Sequence, residues 1–339
     1  MGNQRVFLTG ATGFLGTALV ERLVASGAQV RCSARAGSRR ETVDWLRGRG
    51  AELVPLDLAA DRHDHDALTR AMDDCDLVVH SAAVIAYRRR QRGAMQRTNV
   101  LGTRRVVDAC VAAAVPRLLH VSSIAAVGVS DEPRLLDEDS PWEAGVLDAP
   151  YFDTKRAAEA EVAEGIARGL DAVTVNPGAI YGPSMVPSNS SNLLAAILAG
   201  TLRFAPPGGV NAVPLDTVVE GCVAAAERGR GGRRYILGGD NVHIRELLER
   251  VAAVAGMNLR PRVLPQSLVR AARVPMEWLE PWVGDDCWFT PDMCAVAGRW
   301  MWFDTSRAEH ELGVVPSDLD ACLRATVEQL RRLGGARAG

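Results

Sequence analysis

The run Val6-Phe7-Leu8-Thr9-Gly10-Ala11-Thr12-Gly13-Phe14-Leu15-Gly16 constrains this chain more than any other stretch. Its apolar start reads as a strand, and Leu15, Leu19, Val20 and Leu23 then recur at helical spacing. Between them lie three glycines, three residues apart. Gly10 suits the tight turn after the strand, Gly13 lets backbone close on a pyrophosphate, and Gly16 lets the helix lie against the sheet. A helix that begins there offers free N–H groups and the positive end of its dipole to phosphate oxygens. The stretch predicts dinucleotide binding, with Gly10, Thr12, Gly13, Phe14 and Leu15 as cofactor contacts. A plain βα turn is the alternative that a glycine triplet alone leaves open.

Strand and helix patterns then alternate. Strands are predicted over 29–35, 53–58, 77–83, 118–123 and 172–177, with helices over 14–26, 64–73 and 99–114 and another beginning at Tyr151. Six β-α alternations before residue 180 mean a parallel, doubly wound sheet. The expected fold class is α/β: a Rossmann sheet with a smaller, mixed C-terminal substrate-binding lobe. Residues 1–180 are expected to form the dinucleotide-binding domain, with 211–240 returning to it. Residues 181–210 and 241–333 form the second lobe, and 334–339 a disordered tail.

Net charge is −2, so no field for nucleic acid is implied. No apolar run reaches membrane-spanning length, and no charged-then-apolar leader precedes the first strand, so a cytoplasmic protein is expected. The seven cysteines include no C-x-x-C pair and read as buried small hydrophobes. His63 and His65 lack a third ligand, so no metal site is expected. His80 reads as a packed strand residue.

Two features point to chemistry. Residues 28–38 contain no Asp or Glu, but they hold Arg31 and Arg35, with Arg39 and Arg40 beyond. An NAD site usually ends this strand in a carboxylate, so NADP(H) is favoured, with Arg35 at the 2′-phosphate and NAD(H) as the alternative. The fourth strand ends in Ser81, Ala82 and Ala83, small enough for backbone to approach a cofactor. In addition, Lys155 is the only lysine among 39 basic residues. It lies four residues after Tyr151, on the same helix face. A compact ammonium at this position does what a planar guanidinium does not.

Together, Thr9-Gly10-Ala11-Thr12-Gly13-Phe14-Leu15-Gly16, Asp57-Leu58, Asn99, Ser122-Ser123, Tyr151-x-x-x-Lys155 and Asn176-Pro177-Gly178 resemble the extended short-chain dehydrogenase/reductases. The later stretches around Ile180, Arg234–Gly239 and Phe303–Gly313 look most like the dihydroflavonol-reductase-like branch, including hopanoid-associated sugar-epimerase-like proteins. The resemblance implies Tyr151 as acid/base, Lys155 as its partner, Ser123 as the carbonyl-binding hydroxyl, and Asn99 as a helix-kinking residue beside the lysine. It also implies cofactor contacts at Asp57, Leu58, Pro177, Gly178 and Ile180 and from Tyr151 and Lys155, and a homodimer through 100–114 and 151–168.

The expected activity is NADPH-dependent reduction of a ketone or aldehyde, with the Lys155 ammonium lowering the pKa of Tyr151. The substrate is expected to be a small carbonyl or alcohol compound, bulky and apolar. Alternatives are a sugar-nucleotide epimerase or dehydratase that retains NAD, an alcohol or hydroxysteroid dehydrogenase working oxidatively, and a non-catalytic cofactor sensor. An epimerase needs a diphosphate clamp, for which Arg88–Arg90, Arg203 and Arg299 are the candidates. Trp278, Trp282, Trp288, Trp300 and Trp302 are read either as a pocket lining or as a small core or dimer seam.

Overall fold

The computed structural model describes residues 2–60, 65–142, 147–282 and 290–335. Seven parallel strands form the main sheet: β1 (Arg5–Thr9), β2 (Gln29–Ala34), β3 (Glu52–Pro55), β4 (Leu77–His80), β5 (Leu118–Val121), β6 (Ala172–Pro177) and β7 (Arg234–Leu237). Their order across the sheet is 3-2-1-4-5-6-7. Val6 of β1 faces Val30 on one side and Leu77 on the other, so the order reverses at β1 and β4. A ligand crevice is expected beyond the carboxyl ends of strands at such a reversal.

Every residue of β4 and β5 is buried, as a sheet covered on both faces requires. One face is packed by Leu15, Leu19 and Leu23 of helix Phe14–Ala25 and by Val218, Val219 and Cys222 of helix Leu215–Arg228. The other is packed by Leu68 and Met72, by Val106, Val107 and Cys110, and by Val162 of helix Pro150–Ala167. This is the doubly wound α/β architecture.

A second, mixed sheet joins Asp240–His243, Gly209–Pro214, Trp300–Phe303 and Leu135–Leu136, with Ala179–Tyr181 paired to Gly209–Pro214. It is backed by a separate core around Leu194, Leu248, Val251 and Leu323. Helix Leu215–Arg228 and β7 lie with the main sheet, whereas 209–214 belong to the second. Trp300 and Trp302 serve that sheet: their ring centroids are 4.6 Å apart, both meet His243 edge-on, and the Trp302 indole donates to the Val242 carbonyl. Trp278 and Trp282 are exposed. The four described tryptophans of this stretch therefore fall at two places, Trp300 and Trp302 on the second sheet and Trp278 and Trp282 at the surface, and Trp288 lies outside the described residues.

Other details differ from expectation. β3 ends at Pro55, which leaves Asp57 in the loop. The helix expected from residue 99 is preceded by a π-turn, Gln96–Leu101, before Gly102–Ala112. The last helix runs Leu319–Gly335, so residues 334 and 335 are helical and not part of a disordered tail, and 336–339 lie outside the described residues. Five cysteines are buried and Cys322 is half-buried, all free, while Cys287 and His63 lie outside the described residues. Among the described residues, no helix is long and apolar enough to cross a membrane.

Candidate active site

The glycine turn sits at the sheet reversal. Gly10 adopts φ +77°, a left-handed conformation that favours glycine, and a Cβ there would lie 2.6 Å from the Ala82 nitrogen. The first turn is thereby pressed against the end of β4. Gly16 lies so near the Gly10 carbonyl oxygen that a Cβ would overlap it, which draws helix Phe14–Ala25 onto the turn. Gly13 begins that helix with no side-chain cap and no acidic residue in the first turn. The helix-start N–H groups, among them those of Phe14 and Leu15, are thus without a side-chain cap at the carboxyl end of β1, which fits a dinucleotide phosphate. Thr12 and Phe14 are half-buried at the same edge.

The remaining expected cofactor contacts line the carboxyl ends of the strands. Ser81 and Ala82 donate their N–H groups to the Thr9 carbonyl and hydroxyl, and Ala83 is exposed beside them. Asp57 is exposed but turns inward on itself, accepting from the Ala59 N–H at 2.9 Å, and Leu58 is buried. Arg35 follows β2 directly and is exposed with no ion pair among the described residues. Arg31 is otherwise engaged, on Glu52 and the Ala71 carbonyl. Pro177 is buried at the end of β6, with Gly178 and Ile180 half-buried after it.

Tyr151, Lys155 and Ser123 come together at the same edge. Lys155 is 3% exposed and donates its ammonium to the Val121 carbonyl, at the end of β5, at 3.0 Å. Burial pushes its pKa down to about 8, opposed by the charge of Glu159. Tyr151 is buried against Tyr87, whose ring centroid is 5.9 Å away, and Phe152. The Ser123 hydroxyl accepts from the Ala125 N–H and hydrogen-bonds the Tyr151 hydroxyl. The Ser122 hydroxyl is buried with no hydrogen-bond partner among the described residues. The expected lowering of the Tyr151 pKa is not found: burial raises it, only the Ser123 hydrogen bond works against that, and the ammonium is held on Val121. Tyr151 is therefore a protonated phenol at neutral pH.

Asn99 holds this helix from outside. Within its π-turn, its side chain accepts from the Val84 N–H at 2.8 Å and donates to the Val84 carbonyl at 3.0 Å and to the Thr154 hydroxyl at 3.2 Å. Asn176 and Arg234, which the sequence offered only within family-like stretches, and Glu159, which sequence reasoning passed over, complete the arrangement. The Asn176 amide donates to the Ser123 carbonyl at 2.9 Å and to Glu159 Oε1 at 2.6 Å, and Arg234 reaches Glu159 Oε2 at 3.3 Å. Glu159 lies four residues after Lys155, so helix periodicity alone places it on that face.

His80 is part of a hydrogen-bond chain. The Ala82 N–H donates to the Thr9 hydroxyl, 2.7 Å from His80 Nδ1, and His80 Nε2 lies 2.9 Å from the Thr103 hydroxyl. Thr103 donates its single proton to the Asn99 carbonyl at 2.6 Å. Counting donors assigns a neutral ring with the proton on Nε2 and Nδ1 accepting from Thr9. The chain links the glycine turn to Asn99. Beside it, 5.4 Å away, lies the buried His120 ring, whose two nitrogens have no hydrogen-bond partner among the described residues.

The glycine turn and the Ser-Tyr-Lys cluster, together at the carboxyl ends of the strands, are the groups that a nucleotide-dependent oxidoreductase site would need. The chain belongs to the NAD-dependent epimerase/dehydratase family, which it matches over residues 6–238. It is 30% identical over 335 residues to a putative dihydroflavonol 4-reductase from Synechocystis, across 97% of this chain and 95% of that one. It is 31% identical to sterol demethylase protein B from Methylococcus capsulatus, across 96% and 98%. The solved structure of a nucleoside-diphosphate-sugar epimerase from Pseudomonas aeruginosa superposes with a TM-score of 0.78, at 25% identity and 98% coverage of both chains. The chain is thus an NAD(P)-dependent oxidoreductase-type enzyme of the short-chain dehydrogenase/reductase kind.

Proposed function

We propose that this enzyme reduces a bulky, mostly apolar ketone or aldehyde with NADPH. The observation that carries this reading is the fate of the arginines that a sugar nucleotide would need. Arg89 is paired with Asp148 and Glu277, Arg92 with Asp148, and Arg299 with Asp131, while Arg88 and Arg90 are engaged as well. Around Tyr151 the side chains are apolar: Val84, Tyr87, Val296 and Met301 pack with Phe152. A diphosphate drawn to Arg89, Arg92 or Arg299 would have to break existing ion pairs, whereas an apolar carbonyl compound would not; Arg203, the remaining candidate, is exposed with no ion pair among the described residues. The reductase relatives agree with this, and the epimerase neighbour keeps the second reading in the test.

Nicotinamide supplies the hydride when bound. The chain's own residues manage the oxygen. Ser123 offers its hydroxyl where negative charge grows on the substrate oxygen. Tyr151, protonated at neutral pH, donates the proton that turns the nascent alkoxide into an alcohol. Lys155, charged below about pH 8 and donating to the Val121 carbonyl, ties the helix to the end of β5 and would offer its remaining donors to the cofactor ribose. Asn99 and Glu159 hold the two ends of the helix segment that carries the pair. Arg35, on a strand end without a carboxylate, supports the preference for a 2′-phosphate. The family-implied homodimer and substrate chemistry are part of the same proposal.

The test is to denature the purified protein, identify any released dinucleotide, and then assay a panel of carbonyl compounds with NADPH and NADH. Little bound cofactor and a preference for NADPH are expected. Near-stoichiometric retained NAD would overturn the reading in favour of an epimerase, and equal use of both cofactors would remove the role given to Arg35.

A further inference from the structure

Asp292 is 2% exposed, and both of its carboxyl oxygens lack a hydrogen-bond partner among the described residues. Glu280 is 6% exposed, and its Oε1 likewise has no partner among them. Burying a carboxyl oxygen without a donor is costly, and folded chains rarely leave that cost standing. Here two such groups lie near enough for the charge of Glu280 to act on Asp292.

Both stand beside the Tyr151 cluster. Asp292 lies in helix Pro291–Val296, which packs on helix Arg273–Leu279, and Glu280 directly follows the latter. Val296 comes four residues after Asp292, on the same helix face, and packs into the cluster of Tyr151 and Phe152. The Asp292 charge acts on the Tyr87 hydroxyl, and the Tyr87 ring meets that of Tyr151 edge-on at 5.9 Å.

The basic residues in range are committed elsewhere. Arg89 and Arg273 are the cations whose charge favours the ionised form of Asp292. Arg89 donates to Asp148 at 2.6 Å and reaches Glu277 at 2.9 Å. Arg273 donates to Asp148 at 2.7 Å and to Glu277 at 3.2 Å. They set the potential at Asp292 without giving it a hydrogen bond. Burial, with Glu280 and Asp148 as like charges, holds the Asp292 carboxyl up at about 6. At neutral pH it is therefore ionised and only accepts. Burial keeps Tyr87 a protonated phenol, whose hydroxyl donates. A ligand group that meets both must accept from one and donate to the other, as a hydroxyl does. An ammonium donates only, and it would meet the positive potential of Arg89 and Arg273.

We propose that Asp292, with Glu280 and Tyr87, forms a subsite for a hydroxyl group carried by an otherwise apolar substrate. Such a subsite selects against the analogue that lacks the hydroxyl, because the buried acceptor is then left bare. That the same ligand carries the reacting carbonyl rests on the reductase reading, while the hydroxyl subsite does not.

The experiment is isothermal titration calorimetry of the full-length protein with benzylacetone and its ortho-, meta- and para-hydroxy derivatives. It is run at pH 7, and at pH 6 in two buffers of different ionisation enthalpy. At pH 7 at least one hydroxy derivative is expected to bind roughly tenfold or more tighter than the parent, the size of a hydrogen bond to a charged group. At pH 6 its binding is expected to release a proton, because an accepted hydrogen bond favours the ionised carboxylate; the parent should release none. Asp292→Asn keeps the shape and one acceptor oxygen but not the charge. It is expected to cut the preference to within about threefold and to abolish the proton release, with its melting temperature no lower than that of wild type. Wild type that binds no hydroxy derivative, prefers none of them to the parent, or releases no proton overturns the proposal, whatever the variant does. So does an Asp292→Asn protein that keeps the preference or the proton release. A protein that binds the hydroxy derivatives and turns none over sinks the reductase reading alone, and one that reduces the parent but shows no preference in binding sinks the subsite alone.

Discussion

Acid should unfold this protein through two histidines, and replacing one of them should remove a measurable share of that sensitivity. His80 and His120 lie side by side in β4 and β5, each about 1% exposed and next to the charge of Lys155. Burial, aided by that charge, pushes the His80 ring down to about 3 and holds His120 well below its ordinary value. An unfolded histidine titrates near ~6.5. Below that pH the unfolded chain binds protons that the folded chain refuses, so stability is present at neutral pH and falls as pH drops toward the folded pKa. Between pH 7 and 5 a ring that stays neutral in the folded protein costs about 2 kcal/mol, a figure set by the titration of the unfolded ring alone. Buried carboxyls such as Asp292, raised to about 6, bind their proton first in the folded state and offset part of the loss. Because that offset is common to wild type and variant, the difference between them isolates the histidine. His120→Leu deletes two buried nitrogens that have no partner among the described residues, from a strand that wants an apolar residue, so at pH 7 it is expected to be neutral or stabilising by up to about 1 kcal/mol. Urea unfolding at pH 5, 6 and 7, followed by fluorescence, should show the variant losing about 2 kcal/mol less than wild type from pH 7 to 5. Identical losses in the two proteins would refute the argument.

Four other outcomes are expected. Tyr151→Phe removes the proton donor and should lower turnover roughly 10²- to 10⁴-fold with cofactor affinity intact, as read by kinetics and nucleotide titration; near-wild-type rates would remove Tyr151 from the mechanism. Glu159→Gln removes the charge that supports the Lys155 ammonium, so the alkaline limb of the pH–rate profile should move to lower pH, while a uniform drop in rate with an unmoved limb would mean that Glu159 only packs. Arg35→Ala should raise KM for NADPH roughly 10- to 100-fold and leave NADH little changed, the size of a lost charge-assisted hydrogen bond. Gly16→Ala places a Cβ on the Gly10 carbonyl and should cost about 1–3 kcal/mol of stability together with cofactor affinity; wild-type values in a melt and a nucleotide titration would contradict the packing described for this turn.

What sequence could and could not carry follows from how far apart the interacting groups lie along the chain. The glycine turn occupies seven consecutive residues, and Tyr151 and Lys155 are one helical turn apart, so spacing alone specifies which side chains share a face. The main sheet was legible for a similar reason: its strands are apolar runs between amphipathic helices, and parallel order follows from the alternation. The second sheet was not, because Ala179–Tyr181 and Leu135–Leu136 are too short to show a period, and Gly209 and Pro214 bracket a third strand.

Within the site, the same boundary separates Lys155 from its electrostatics. Its position is local, but its partner is the carbonyl of Val121, 34 residues earlier, and the carboxylate that steadies it also grips Asn176, 17 residues later. Those partners are chosen by the register of β5 and β6, which places Val121 opposite Val175, next to Asn176. A lysine drawn onto a backbone carbonyl, under a phenol sealed by Tyr87 and Phe152, cannot lower that phenol's pKa as a free ammonium in water would. The expectation of an acidified tyrosine failed for this reason.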